Sequence, residues 1–180
     1  MSESPFPISG PSSGPSTGPS SGPSSGSSES PGAAPRELPR HWEIGRRQVA
    51  RRLALQALYR WQLNPCPWQD LISEFATDAQ MPQADAEYFR ELVQGVWTSR
   101  EGLDAQLAGW LDRSPELLDP VEHALLLIGL YELKSRPEVP CRAAITEAVN
   151  LAKRFGAEDG HKYVNAVLDR AARAVRPAEI

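Results

Sequence analysis

The stretch Val121–Leu133, VEHALLLIGLYEL, decides the fold. Leu125, Leu126, Leu127, Ile128 and Leu130 cover nearly every direction around a helix, and a helix apolar all round needs protein on most sides. The run is too short to cross a bilayer, which takes about twenty apolar residues. Its start is written for a helix rather than a buried strand. Asp119 can cap, Pro120 suits the first helical position, and Glu122 stands three after Asp119 in the manner of a capping box. The expectation is a central buried helix over Asp119–Leu133.

Helical spacing continues on both sides of this element. Arg46–Leu63 carries Ala50, Leu53, Ala54, Ala57, Leu58 and Trp61 at the three/four spacing of a buried stripe. Pro65 and Pro67 stop it. Trp68–Ala76, Gln83–Thr98 and Glu101–Leu111 read as three further helices, with Pro115 breaking the last. Pro137 stops the central helix. Pro140–Phe155 follows, with Gly156 expected as a left-handed cap, and Glu158–Val175 is the final helix. No segment alternates convincingly with period two. The sequence predicts an all-α, single-domain bundle of seven helices.

Residues 1–35 are a different material. They hold 13 Ser, 8 Pro and 6 Gly, with Gly-Pro pairs recurring every four residues from Gly10 to Gly22. Such a segment has almost nothing to bury and is expected to stay disordered. Residues 1–45 are therefore assigned as a tail with a basic lead-in, and 46–176 as the helical domain. The tail has neither the continuous apolar run nor the cationic start of a signal peptide. Cys66 and Cys141 lie 75 apart without a CxxC, which favours a reducing, cytoplasmic setting with no membrane span.

Charge is distributed unevenly. Arg36–Arg60 holds seven Arg against two Glu, while Trp61–Ile180 holds twelve basic against nineteen acidic residues. A basic end on an acidic body suggests one surface for a polyanion and another for a different partner. Arg47 and Arg51, four apart, are expected to stack on the solvent side of the first helix with Arg46 and Arg52 close by. The nearest acidic residue is Glu43, so the cluster lacks salt-bridge partners on its own helix. Four guanidinium groups in seven residues can grip phosphates through forked hydrogen bonds.

Catalytic constellations do not emerge. His41, His123 and His161 are not at metal-ligand spacing, and HExxH, P-loop and dinucleotide fingerprints are absent. Cys66 sits between prolines with no histidine nearby. No enzyme activity, cofactor or metal is expected.

Four segments together resemble the NusB transcription antitermination family: ALQALYRWQL (Ala54–Leu63), YFRELVQGV (Tyr88–Val96), the central VEHALLLIGLYEL, and VPCRAAITEAVNLAKRFGAEDGHKYVNAVLDRAAR (Val139–Arg173). The last is the specific part, departing from the family signature at Thr146 for Asn, Tyr163 for Phe and Ala166 for Gly. The resemblance covers about Arg46–Arg176. It implies a helical protein that binds the boxA element of ribosomal RNA leader transcripts, with no cofactor. It also implies a partner, the ribosomal protein NusE, and assembly with RNA polymerase and other Nus factors to suppress premature Rho-dependent termination.

By the same resemblance, Arg46, Arg47, Arg51 and Arg52 match the family's arginine-rich RNA stretch, although Gln48, Val49 and Ala50 interrupt it. Trp110, Phe155 and Tyr163 are aromatics at positions the family uses near its RNA surface, where rings stack on unpaired bases. Lys162 adds a cation and Asp159 lies beside it. Glu116 and Glu122 match acidic partner positions, and Cys141 stands where some relatives carry an aromatic. Two alternatives accompany this reading: a homodimeric interaction module, and the RNA-binding part of a ribosomal RNA methyltransferase system.

Overall fold

The computed structural model describes residues 40–180, with side chains from Glu43 onward. The expected disorder of residues 1–35 and the histidine at position 41 lie outside the described residues or side chains. Among the described residues there are six α-helices and no strand: α1 Arg40–Leu63, α2 Trp68–Phe75, α3 Ala86–Leu107, α4 Pro120–Ser135, α5 Cys141–Phe155 and α6 Gly160–Val175. Short 3-10 turns occupy Met81–Gln83, Pro115–Leu117 and Pro177–Glu179.

The helix α4 is the hub, packing against α1, α3, α5 and α6. Its side chains from Leu125 to Ile128, with Leu130 and Leu133, are all buried. Asp119 caps it, its Oδ1 accepting from Val121 N at 2.9 Å and Glu122 N at 3.4 Å. The close approach of α6 depends on Gly129, because a Cβ there would lie 2.7 Å from Cδ1 of the fully buried Leu168. Burying Leu, Ile and Val side chains at about 1.5–3 kcal/mol each is what holds such a hub in place.

Three differences from the expected helices have physical causes. The two helices expected over Gln83–Thr98 and Glu101–Leu111 are one, α3, so the total is six rather than seven. No proline separates them, Gly102 alone does not stop a helix, and the buried positions Val96, Leu103 and Leu107 keep helical spacing across the join. The start of α3 is set by Asp85, whose Oδ1 accepts from Tyr88 N at 3.0 Å. Second, α1 begins at Arg40, ahead of the expected Arg46. Third, Gly156 is extended (φ −85°, ψ 177°), not left-handed. Glycine serves there because a Cβ would press to 2.8 Å from the Ala152 carbonyl oxygen, which already accepts from Gly156 N.

The C-terminal turn closes the bundle. Arg176, just after α6, donates from Nε to Leu133 O (2.6 Å), from Nη2 to Glu132 O (2.9 Å) and Arg136 O (2.8 Å), and from Nη1 to Val139 O (2.8 Å). Leu133 O, in the last turn of α4, has no main-chain donor because position 137 is proline, so the guanidinium satisfies it and ties the loop carbonyls of Arg136 and Val139 to the end of α4. Glu179 then accepts from Cys141 N at 3.0 Å and serves as a borrowed cap for α5, whose own preceding residue, Pro140, has no capping side chain.

Candidate nucleic-acid interface

The four arginines of α1 diverge. Arg46 turns back and donates from Nε (3.2 Å) and Nη2 (2.8 Å) to Ala84 O, fastening the segment before α3 onto α1. Arg47 is half-buried, lying 4.8 Å from the Tyr88 ring centroid and 3.9 Å from Asp85 Oδ2. Arg52 remains beside solvent on another side, in the crease between α1 and α5.

Arg51 is buried, not solvent-facing. Expected on the solvent face, it is only 5% exposed and donates from Nε to Glu132 Oε1 at 2.9 Å. Its Nη2 lies 2.8 Å from the same carboxylate oxygen and donates to the Tyr88 hydroxyl at 3.0 Å. Tyr88 in turn donates to Glu132 Oε1. The reason is that the apolar arc of α1 is wider than the simple stripe: Leu55 is buried with Ala54 and Leu58, and Arg51 lies one turn before Leu55 on that side. Glu132, 1% exposed on α4, supplies the counter-charge from 81 positions away. Burial would lower the Arg51 pKa, but the charge and hydrogen bonds of Glu132 outweigh it and hold Arg51 above its ordinary value. Burial, and then the Glu132 charge, push the Tyr88 phenol well up. Three guanidinium groups, from Arg47, Arg51 and Arg136, lie within 4.8–5.2 Å of the Tyr88 ring centroid.

The aromatic candidates stand at the end of α5 (Phe155), the start of α6 (Tyr163) and in the turn after α3 (Trp110), and the last two are joined through Asp112. Tyr163, half-buried on α6, donates its hydroxyl to Asp112 Oδ1 at 2.8 Å, and Arg113 lies 4.8 Å from its ring centroid. Asp112 is held down to about 2, first by the Arg113 hydrogen bond and then by that of Tyr163. Trp110 is half-buried two residues before Asp112, in the same turn. Phe155 is half-buried at the end of α5, with the Arg154 guanidinium 5.1 Å from its ring centroid. All three rings are partly exposed, neither core nor fully solvated. Asp159 offers no capping bond to α6 and instead pairs with Lys162 at 2.8 Å, both exposed. That pairing lowers Asp159 and offsets part of the Lys162 charge.

Of the three residues matched to partner positions, the structure exposes one. Glu116 is exposed in the Pro115–Leu117 turn, beside Leu117, which is 74% exposed. Glu122 is only 8% exposed, and does not present itself for a partner as expected. Its carboxylate packs on Gly160 so closely that no Cβ would fit there, which locks the start of α4 to the start of α6. Burial, reinforced by the neighbouring charge of Asp119, raises the Glu122 pKa. Cys141 is buried beneath the C-terminal turn, so its thiol cannot form a surface contact in this arrangement.

Leu117 was not anticipated from the sequence. Its only signal there was an aliphatic residue inside a Pro-Glu-Leu turn. Arg154 has a sequence signal in the Lys153-Arg154 pair beside Phe155, but its place in the same groove as Arg52 depends on the packing of α5 on α1. Among the described residues no three His, Cys, Asp or Glu side chains are grouped so as to hold a metal ion, and no helix is long and apolar enough to cross a membrane.

Comparison with known proteins matches this architecture. The NusB family model covers residues 48–173. A transcription antitermination protein NusB from Marinomonas sp. (strain MWYL1) is 48% identical over 136 residues, covering 74% of this chain and 78% of the relative. The one from Teredinibacter turnerae is 49% identical over 134 residues, covering 74% of this chain and 91% of the relative. Among solved structures, T. maritima NusB superposes with a TM-score of 0.66 at 26% identity, covering 74% of this chain and 94% of that one. A chain from a crystal structure of the antitermination factors NusB and NusE with dsRNA gives a TM-score of 0.60 at 26% identity, covering 71% and 96%. The six-helix bundle, the half-buried aromatics and these matches lead to one assignment: the chain belongs to the NusB family.

Proposed function

We propose that this chain is a transcription antitermination factor that binds boxA RNA of ribosomal RNA leader transcripts together with NusE, within an RNA polymerase complex that suppresses premature Rho-dependent termination. The observation that carries this reading is family membership across residues 48–173, alongside a NusB relative solved with NusE and RNA. The site chemistry supports it. Half-buried rings at Trp110, Phe155 and Tyr163 stand among Arg113, Arg154 and Lys162, the combination that single-stranded RNA uses for stacking and phosphate contact.

In this reading the RNA face takes Arg47 and Arg52 as cations from α1, and the rings with Lys162 from the other end. Arg46 and Arg51 build the platform rather than touch RNA, because both are committed to protein acceptors. NusE meets the Pro115–Leu117 turn, where exposed Glu116 complements a basic ribosomal protein and Leu117 supplies an apolar anchor. Glu122 supports that face from behind.

Tyr163 gives the sharpest test. Replacing it with Ala is expected to weaken boxA RNA binding by about 1–3 kcal/mol, the worth of one stacked base. Tyr163→Phe keeps the ring, loses only the bond to Asp112, and should bind RNA nearly as the unaltered chain does. Fluorescence anisotropy with labelled RNA reads both. Equal affinity for the Ala variant would remove Tyr163 from the RNA face.

A further inference from the structure

A groove of about 280 Å³ runs between α1 and α5, with Gln48, Arg52, Glu147, Asn150 and Arg154 among its walls. Its cations stand apart from the other arginines of the molecule's basic end. Arg46, Arg47 and Arg51 all have protein acceptors or carboxylates close by. Arg52 has no ion pair among the described residues, and its Nε is shut off from solvent without a hydrogen-bond partner. A buried donor without an acceptor is unfavourable, so a rotamer change that brings this guanidinium to an anion is rewarded twice, by charge and by satisfaction of the orphan.

The surroundings select the sign of the ligand. Arg154 faces the same groove, and after burial its charge is the main influence depressing Arg52, with Asp78 acting the other way. Two like charges held near one another in a crease are the arrangement an anion relieves. The groove's one carboxylate, Glu147, accepts from Gln48 Nε2 at 2.9 Å and makes no ion pair with either arginine. Asn150 stands exposed on the rim with an amide donor to offer. Arg154 is followed directly by Phe155, whose ring it overlies, so the α5 wall of the groove ends beside one ring of the proposed RNA face.

We propose that this groove seats one phosphodiester of the RNA strand between Arg52 and Arg154, with the Asn150 amide as a third donor, and so joins the arginines of α1 to the rings at the end of α5. The proposal rests on the RNA-binding reading above and adds a specific phosphate seat to it. A strand crossing here has its backbone clamped at one point while its bases remain free to stack on Phe155 and Tyr163.

The test uses the full chain with NusE and a boxA RNA oligomer, titrated at several salt concentrations. Arg52→Gln and Arg154→Gln are each expected to weaken binding about tenfold and to lower the slope of log affinity against log salt by about 0.7, the value for one phosphate on a single strand. Asn150→Asp alters only the exposed rim and should weaken binding comparably, which keeps the test valid if an arginine variant folds poorly. Glu147→Gln removes the carboxylate that lines the groove and should tighten binding. Unchanged affinity and slope in the Arg154 and Asn150 variants, with the unaltered chain binding RNA, would overturn the groove while leaving the RNA function standing. No binding of any RNA by the unaltered chain would overturn both. Binding of inorganic phosphate at the groove, seen by NMR shifts at Asn150 but without any effect of the variants on RNA, would also overturn it.

Discussion

Arg51→Ala is expected to lower the stability of the domain by about 3–5 kcal/mol, because it leaves the Glu132 carboxylate charged and buried without its partner. The geometry makes this loss large. Arg51 and Glu132 are 5% and 1% exposed, the guanidinium reaches both carboxylate oxygens, and the Tyr88 hydroxyl is bonded to both residues. Water cannot take over any of these bonds without opening the contact between α1, α3 and α4. Against a total stability of roughly 5–15 kcal/mol for a domain, a loss of that size is a substantial fraction. Replacing both charges together, with Arg51→Met and Glu132→Leu, should recover most of it, since well-packed apolar residues of similar volume replace a buried pair at little cost. Urea unfolding of the two variants measures the difference. RNA affinity per folded molecule should hardly change in either, because the guanidinium does not reach solvent. A single-variant loss below 1 kcal/mol would mean that the pair is not buried as described.

Arg176→Ala is expected to cost about 3 kcal/mol, given net contributions of about 1.5–3 kcal/mol for hydrogen bonds to a charged group and partial replacement by water at this rim position. One guanidinium serves four main-chain carbonyls at Glu132, Leu133, Arg136 and Val139, and also meets Glu179 Oε1 at 3.2 Å. Glu179 in turn caps α5 through Cys141 N. Losing Arg176 therefore unties the C-terminal turn from α4 and α5 together. Arg176→Lys should rescue only a minor part, since an ammonium cannot present five donors in a planar fork. Hydrogen exchange offers a local readout: amides at the start of α5, Cys141 first, should exchange much faster in the Ala variant while those of α1 keep their protection. Uniformly unchanged exchange would contradict the tie.

Much of this architecture can be read in the chain because the local signals agree. The Asp119-Pro120 start, the all-round apolar run of α4, the Pro65/Pro67 stop after α1 and the spacing of α5 and α6 each point to the element that forms. The errors have a common origin in contacts remote in sequence. Ser99 and Arg100 resemble a helix break until the packing of Leu103 and Leu107 carries α3 through them. Arg51 resembles a solvent-facing phosphate ligand because Glu132 and Tyr88 are distant in sequence. Glu122 and Cys141 occupy positions that resemble a partner surface, yet Gly160 and Glu179 enclose them. Tertiary burial of a polar side chain leaves almost no trace in periodicity, since an arginine at such a position scores as surface in any pattern.

The candidate site divides along the same line. Residue types at the aromatic end, Phe155, Lys162 and Tyr163, are evident from the resemblance, and the structure sets Phe155 at the end of α5 and Lys162 and Tyr163 at the start of α6. The Tyr163–Asp112 bond and the overlying Arg113 that orient one ring are tertiary facts. So is the groove shared by Arg52 and Arg154, which needs α1 and α5 side by side.

Sequence-selective RNA binding strengthened by a protein partner is tested by equilibrium binding to boxA RNA and to a scrambled RNA of the same composition, with and without NusE, at fixed salt. Binding is expected to be tighter to boxA than to the scrambled strand, with the gap widened by NusE. Equal weak binding to both RNAs, unmoved by NusE, would contradict it.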